Sequence, residues 1–432
     1  MNFIDELRWR GMLNDMTPGT EEQLTREMTA GYIGFDPTAA SLHIGNLATI
    51  MLLVHFQRAG HKPFALVGGA TGMIGDPSGK AAERDFLSEE TLRHNQEGIR
   101  AQLARFLVFD ESPNSAEMVN NYDWFKEISF LSFLRETGKH LTINYMMAKD
   151  SVKNRLETGI SFTEFSYQLL QGYDFYHLYK QRGVRLQMGG SDQWGNITTG
   201  TELIRRKEER GSDAENDRAF ALTTPLVTKA DGTKFGKSES GNVWLDPALT
   251  SPYQFYQFWL NAADSECGRL VRVFTLLDKP TIERLEAEHA KTPHLRILQK
   301  AVARDVTTRV HGQAGYDLAV KASEVLFGKA TIDTLRSIAI DEFDVIFDGV
   351  PQTTISAAEL AACKDITDLL SMASRGEIYG SKGEARRAIS QSAVSLNKVK
   401  IADPAVSADV EWLQDRFLLV SKGKKNHLLK KV

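Results

Sequence analysis

The chain has 432 residues, 42% of them hydrophobic and 25% charged, with a formal net charge of −4 at pH 7. That length allows about two to four domains with a substantial core, and the composition excludes a disordered or fibrous protein. No run of 18 apolar residues occurs, so we expect no membrane span. The acid-containing N-terminal segment resembles neither a signal peptide nor a transit peptide, and Cys267 and Cys363 match no metal or redox motif. We therefore expect a cytoplasmic protein.

Charge is unevenly distributed along the chain. From Lys364 onward there are 13 Lys and Arg against 8 Asp and Glu, so the body is acidic and the tail is basic. This pattern predicts that the tail meets a polyanion, although a solvated helix face would give the same counts.

The first elements predict a strand followed by a helix. Residues 1–30 read as a polar helical segment. A strand then begins near Tyr32 and ends at Asp36-Pro37, because proline removes a backbone donor and keeps the preceding residue extended. Ser41 is the predicted cap of the next helix. The buried face of that helix is predicted from helical spacing of Ile44, Leu47, Met51 and Val54.

The following elements extend this unit into a sheet. Pro63–Gly68 is a continuous apolar strand, typical of a parallel sheet buried on both faces, and its helical connection predicts a doubly wound sheet. Helices and loops alternate over 88–160. Val184–Met188 is another strand, and Asp192–Arg206 another helix.

His43-Ile-Gly45-Asn46 falls on the first turn of the predicted helix. Free N–H groups and the positive end of the helix dipole attract phosphate there. Gly45 has no side chain, so a flat ring or a sugar could lie against the backbone. The alternative is an ordinary strand-turn-helix.

Gly68–Lys80 follows a strand and is rich in glycine. It is neither a Walker A loop, since Ala81 replaces the Mg²⁺-binding hydroxyl, nor a dinucleotide fingerprint. Lys80 and Arg84 lie four residues apart and could reach a polyphosphate together; the alternative is a turn with solvated charges.

Tyr167, Gln171 and Asp174 recur at i, i+4 and i+7 of a predicted helix, which places a phenol, an amide and a carboxylate on one face. Polar stripes usually face solvent. The neighbours of this one are so apolar that we expect burial, and a ligand could then be the partner of these groups.

Two further motifs carry polar groups. Gly189–Asn196 lies between a strand and a helix, where Asp192 could accept from ribose hydroxyls and Gln193 could orient a carboxylate or phosphate. Lys234-Phe-Gly-Lys237-Ser238 lies in a loop that could move and clamp a polyphosphate. Alone, this second motif is weak.

Together these motifs resemble the class I aminoacyl-tRNA synthetases, specifically the bacterial-type tyrosyl-tRNA synthetases. His43–Asn46 matches the first signature of that family and Lys234–Ser238 the second, and the other motifs above match its remaining landmarks in the same order. The tail around Ala385-Arg386-Arg387 resembles an S4-type RNA-binding module. The resemblance covers essentially the whole chain.

The resemblance implies roles for individual residues. Tyr32 and Asp174 would bond the phenolic hydroxyl of substrate L-tyrosine, and Tyr167, Gln171 and Asp76 its ammonium group, with Asp36 nearby. ATP would meet Gly45, Asn46, Asp192 (ribose) and Ser238, and Gln193 would lie near the reacting carboxylate. Transition-state contacts to the phosphates would come from Thr38, His43, Lys80, Arg84, Lys234 and Lys237.

It also implies an architecture and partners. We expect an α/β Rossmann-like catalytic domain with a doubly wound parallel sheet (1–222), a mobile Lys-Phe-Gly-Lys-Ser loop (223–245), a helical anticodon-binding domain (246–330), a linker (331–350) and a small α+β S4-like RNA-binding domain (351–432). The implied partners are L-tyrosine, ATP, Mg²⁺ carried with the triphosphate but held by no metal site of the protein, tRNA(Tyr) and a second copy in a homodimer.

Two departures from the family are visible. The first signature often ends in His but here ends in Asn46, whose amide can still donate a hydrogen bond at similar reach. Ile33 stands where many relatives have Cys, so a weak contact to the ribose lacks support.

Three alternatives stay open. A tryptophan-specific sister enzyme is disfavoured by the Tyr32 and Asp174 pair and by the S4-like tail. A non-catalytic RNA-binding relative is disfavoured because the phosphate-binding residues are present. A generic nucleotidyltransferase sharing the first signature is the third.

Overall fold

A computed structural model describes residues 2–76, 78, 87–153, 159–208, 218–228, 235–238, 241–328, 331–340, 343, 346–347, 349–423 and 425–432, without the side chains of residues 150, 151, 237 and 238. The chain divides into two compact units, one of residues 1–250 and 260–310 and one of residues 251–259 and 311–432. Across these described ranges, none of the helices has both the length and the apolar character that a bilayer crossing requires.

The first unit is built on a six-stranded sheet. Its strands are β1 (Asp15–Met16), β2 (Ala30–Phe35), β3 (Lys62–Val67), β4 (Glu117–Asn120), β5 (Val184–Gly190) and β6 (Phe220–Thr224). Their order is β1-β6-β5-β2-β3-β4, and all neighbours are parallel except β1 and β6. The sheet extends from β2 in one direction through β3 and in the other through β5, so the predicted doubly wound parallel sheet is confirmed.

The helices up to residue 208 surround this sheet. They are α1 (Phe3–Arg10), α2 (Thr20–Arg26), α3 (Ile44–Arg58), α4 (Thr71–Ile74), α5 (Glu89–Leu103), α6 (Tyr122–Phe125), α7 (Phe130–Glu136), α8 (Ile143–Met147), α9 (Asp150–Lys153), α10 (Phe162–Arg182) and α11 (Trp194–Glu208). The first 30 residues are therefore two helices with an edge strand between them, where the sequence predicted a single helical segment.

Helix α3 has the predicted apolar face but a different cap. Ile44, Leu47 and Met51 are fully buried. The N-cap is His43, so the prediction of Ser41 is wrong. The Ser41 hydroxyl instead donates to the carbonyl of Leu42 at 2.7 Å and accepts from Gln102 Nε2 at 2.9 Å, because the chain stays extended for two more residues.

Beyond residue 236 the chain forms a short hairpin of β7 (Lys237–Ser238) and β8 (Gly241–Asn242) and then turns helical, as predicted. The helices are α12 (Pro252–Leu260), α13 (Asp264–Phe274), α14 (Lys279–Lys291) and α15 (Ile297–Phe327). Helix α15 is interrupted at Gly312, whose φ of 77° is left-handed.

The second unit contains α12, the part of α15 after Gly312, and a five-stranded sheet. Its further elements are α16 (Ile332–Arg336), β9 (Gln352–Ile355), α17 (Ala357–Ala361), α18 (Ile366–Asp368), α19 (Lys382–Ser390), β10 (Val394–Leu396), β11 (Val399–Lys400), β12 (Phe417–Lys422) and β13 (Lys425–Lys431). The strand order is β11-β10-β12-β13-β9, with only β9 and β13 parallel. The five-stranded sheet and its helices form the α+β module predicted from the sequence of the tail.

Part of the predicted linker contributes to the core of this unit. Phe343, Ile346 and Phe347 are fully buried and pack in one cluster with Tyr253 and Phe417. The boundaries at 330 and 350 remain predictions, since the described residues on both sides of them share this apolar cluster.

Candidate active site

A cavity of about 570 Å³ opens where the strand order reverses between β2 and β5, beyond the carboxyl ends of these two strands. Ligands of doubly wound sheets bind at such a switch point, because the loops after the two strands diverge there. Twelve of the predicted site residues line this cavity: Tyr32, Asp36, Thr38, His43, Gly45, Asn46, Asp76, Tyr167, Gln171, Asp174, Asp192 and Gln193.

The remaining predicted residues belong to the second signature and the glycine-rich loop. Lys80, Arg84 and Lys234 lie outside the described residues. The backbone of Lys237 and Ser238 forms β7, but their side chains are not described.

Tyr32 and Asp174 are buried polar groups of the cavity wall, with exposures of 1% and 2%. Within the described part of the chain, the Tyr32 hydroxyl has no hydrogen-bond partner. Asp174 accepts from Asn121 Nδ2 at 3.0 Å and from Trp124 Nε1 at 2.9 Å. Burial raises the pKa of Asp174 to about 8 and raises the pKa of Tyr32 as well.

A second carboxylate is tied into the same network. Asp36 accepts from the Tyr167 hydroxyl at 2.8 Å and from the Thr71 hydroxyl at 2.7 Å. Thr71 in turn accepts from Asn121 Nδ2 at 3.0 Å, so Asn121 joins Asp36 to Asp174. A Cβ atom at Gly68 would collide with Asp36 Oδ1 and Thr71 Oγ1, which explains the glycine at the end of β3.

Asp76 and Gln193 form a third polar group. Asp76 accepts from Gln193 Nε2 at 2.7 Å, from Asn196 Nδ2 at 3.3 Å and from the backbone N–H of Ser78 at 2.9 Å. The amide after β5 is thereby held against the loop after β3, across the switch point.

The first signature forms the start of α3. The backbone N–H of His43 donates to Asn46 Oδ1 at 3.1 Å, so the asparagine closes the first turn on itself. A Cβ atom at Gly45 would approach the His43 ring to 2.7 Å, so the glycine lets the imidazole fold over the helix end. The backbone of Ile44 also donates to Val243 at 2.9 Å.

The second signature lies against the first. A Cβ atom at Gly236 would approach the backbone nitrogen of Gly45 to 2.9 Å, and Gly236 has a left-handed φ of 89°. The carbonyl of Gly236 accepts from Val243 at 2.9 Å. Two glycines thus let two backbone segments meet where phosphate was predicted to bind.

Sequence reasoning missed several residues of this site. Asn121, Trp124 and Thr71 bond to the buried Asp174 and the half-buried Asp36, and they lie in or beside helices of four residues, which give no periodic signal. Gln187, 2% exposed, also lines the cavity, and its Oε1 has no partner among the described residues. Its place beside Tyr32 on the adjacent strand could have been found only from the pairing of β2 with β5.

Comparison with known families gives two matches that together span most of the chain. Residues 24–328 match the family model described as tRNA synthetases class I (W and Y), and residues 342–430 match the tyrosine–tRNA ligase SYY-like C-terminal domain.

Individual relatives are similar over nearly the full length. A protein named tyrosine–tRNA ligase from Cytophaga hutchinsonii is 62% identical over 428 residues, covering 99% of both chains. One of the same name from Amoebophilus asiaticus is 60% identical, covering 100% of this chain and 99% of that one. The crystal structure of a C-terminally truncated mitochondrial tyrosyl-tRNA synthetase from Aspergillus nidulans superposes with a TM-score of 0.68 at 29% identity, covering 76% of this chain and 94% of that one.

Proposed function

Because this chain belongs to the class I tRNA synthetases of the tryptophan and tyrosine group, we propose that it is a tyrosine–tRNA ligase. It activates L-tyrosine with ATP to tyrosyl-adenylate and pyrophosphate, and then transfers tyrosine to the 3′ end of tRNA(Tyr). The observation that carries the choice of tyrosine is the Tyr32 hydroxyl, which has no hydrogen-bond partner among the described residues and lines the same cavity as Asp174 and the first signature.

In the proposed mode of amino-acid binding, the substrate phenol donates to Asp174 and accepts from Tyr32. Phenylalanine would leave the buried Tyr32 hydroxyl without a partner and would deny Asp174 its third donor, and a buried polar group left unpaired is a strong way for a site to reject an analogue. We assign Tyr167, Gln171 and Asp76 to the ammonium group, with Asp36 holding Tyr167 through their 2.8 Å bond.

The first chemical step needs no protein nucleophile. The tyrosine carboxylate is already ionised, attacks the α-phosphorus, and forms the acyl–phosphate bond as the bond to pyrophosphate breaks. The protein therefore supplies alignment and positive charge. We assign the ribose to Asp192, the reacting carboxylate to Gln193, nucleotide contacts to Gly45, Asn46 and Ser238, and phosphate contacts to Thr38, His43, Lys80, Arg84, Lys234 and Lys237.

Magnesium is proposed to accompany ATP, where it would neutralise part of the triphosphate charge. Asp36 and Asp76 already accept hydrogen bonds from protein groups, which fits an ion carried by phosphates and waters and not by a protein cage.

Transfer to tRNA is proposed to use the helical region and the basic second unit. Arg386 and Arg387 are exposed on α19. Replacing both with alanine should weaken tRNA binding and reduce its salt dependence, with unchanged adenylate formation. Unchanged tRNA affinity and salt dependence would exclude these two arginines from the contact.

We further propose a cytoplasmic homodimer. Four apolar side chains of the first unit, Phe130, Leu131, Ile143 and Phe162, are 60–76% exposed, and a second copy is the proposed cover. Leu131→Asp should lower the mass measured by light scattering to that of a monomer, and a persistent dimer would exclude this surface.

The decisive experiment is tyrosine-dependent exchange of pyrophosphate into ATP, with phenylalanine and tryptophan as competitors. We expect exchange with tyrosine alone. Exchange driven by tryptophan, or none with any amino acid, would refute the proposal.

A further inference from the structure

Helix α13 contacts the chain on both sides of residues 229–234. Arg269 Nη2 donates to the carbonyl of Thr228, just before that stretch. The ring of Phe274 stacks on that of Phe235, just after it, with centroids 5.4 Å apart and planes 13° from parallel. Two side chains of one helix, five positions apart, therefore contact the described residues on both sides of 229–234, and the second of them, Phe274, contacts the second signature itself.

These contacts continue to the first signature. Phe235 is followed by Gly236, whose backbone lies against Gly45 at the start of α3 and bonds to Val243 at 2.9 Å. The stack on Phe274 therefore fixes the distance between the backbone leading into Lys237 and the helix end that we assign to phosphate.

The end of α13 is itself held firmly. The carbonyl of Phe274 accepts from Arg309 Nη1 at 3.0 Å, and that of Thr275 from Arg10 Nη1 at 3.0 Å. Arg10 and Phe274 are 3% and 0% exposed. Charged donors on two successive main-chain carbonyls, together with the burial of its ring, leave Phe274 little freedom to move, so it is a rigid support for Phe235.

We propose that Arg269 and Phe274 are positioning residues for adenylate formation. This inference rests on the proposed function. Neither residue is among the described residues that line the cavity. Phe274 acts through Phe235 of the second signature, and Arg269 acts through the backbone of Thr228, which precedes residues 229–234. Because phosphoryl transfer depends on alignment, a displacement of about 1 Å can slow it about 100-fold while tyrosine still binds.

The test uses the full chain with Arg269→Ala, Phe274→Leu and two matched controls. Arg284→Ala removes another exposed arginine of the helical region, one that pairs only with Glu288 at 3.8 Å among the described residues. Phe343→Leu alters a buried phenylalanine of the second unit. Pyrophosphate exchange gives kcat and the KM values for ATP and pyrophosphate, and intrinsic fluorescence gives the Kd of tyrosine.

We expect both α13 variants to lose about tenfold in kcat and to raise the KM for pyrophosphate, with the tyrosine Kd and the controls unchanged. Combining Phe235→Leu with Phe274→Leu should cost less than the sum of the two single losses, since the two rings share one contact. Unchanged exchange, an equal loss in tyrosine affinity, or additive effects would overturn the inference. An unaltered chain that performs no exchange would instead refute the proposed function.

Discussion

The two sides of the cavity are built differently. The amino-acid side comprises Tyr32, Asp36, Tyr167 and Asp174, all buried except the half-buried Asp36. Asn121 links Asp174 to Asp36 and Tyr167 through Thr71. The signature side, comprising residues 43–46 and 235–236, consists of backbone brought together by glycines. Buried polar groups suit selection, since an unmatched ligand leaves them unpaired. Backbone N–H groups suit phosphate, which needs charge and close approach.

The largest effect is expected from a substitution of Gly68, the glycine beside the hydrogen-bond network of the amino-acid side. Gly68→Ala places a methyl group on Asp36 Oδ1 and Thr71 Oγ1. Overpacking of this kind costs about 1–3 kcal/mol of stability. It should separate Asp36 from Thr71, disrupt the hydrogen bonds between them and lower kcat/KM for tyrosine by up to about 100-fold. Steady-state pyrophosphate exchange measures this change in kcat/KM. Gly138→Ala is the control, because its added Cβ meets only Leu134 at 3.7 Å. Equal losses in both variants, or none at Gly68, would contradict the network.

The next effect is a pH dependence of tyrosine binding. Asp174 has a pKa of about 8, raised by burial, so below pH 8 the free site holds it largely protonated. The ionised carboxylate is the stronger acceptor for the substrate phenol, so tyrosine affinity should rise with the ionised fraction, by up to about 50-fold between pH 6 and 8. The stability of the unliganded protein should fall over the same range, because the folded state retains the proton and the unfolded state does not.

Fluorescence titration from pH 6 to 8 measures this affinity. Asp174→Asn, which cannot ionise, should bind weakly at every pH and lose preference for tyrosine over phenylalanine. A parent profile as flat as that of the asparagine variant would show that Asp174 does not govern binding.

The smallest effect is expected from a substitution of Asn46, which tests the signature side of the cavity. Asn46→Ala removes the acceptor for the His43 N–H and should lower the free energy of unfolding by about 1 kcal/mol. Adenylate formation should slow less than about tenfold, since the glycines still set the backbone. Asn46→Asp keeps the acceptor and should retain stability in denaturant titrations. If the aspartate variant were as unstable as the alanine variant, the 3.1 Å contact would not be the cause.

Local features of the two sides of the cavity could be predicted from the sequence, and contacts between distant segments could not. The helix carrying Tyr167 and Asp174 was predictable because its period is local, and the signatures were predictable because their residues resemble those of a known family. The cap of α3 was misplaced because Ser41 finds a tertiary partner in Gln102. The roles of Asn121 and Gln187 were not predictable because they depend on which strands and helices become neighbours.

The sequence by itself determined the sheet class, which follows from local spacing, and the order of the motifs, whose residues carry the family resemblance. Only the tertiary structure decided which polar groups are paired. The carboxylate of Asp174 is satisfied by two donors about 50 residues earlier, whereas the Tyr32 hydroxyl has none among the described residues. Burial and pairing are properties of contacts between distant segments, and no local pattern records them.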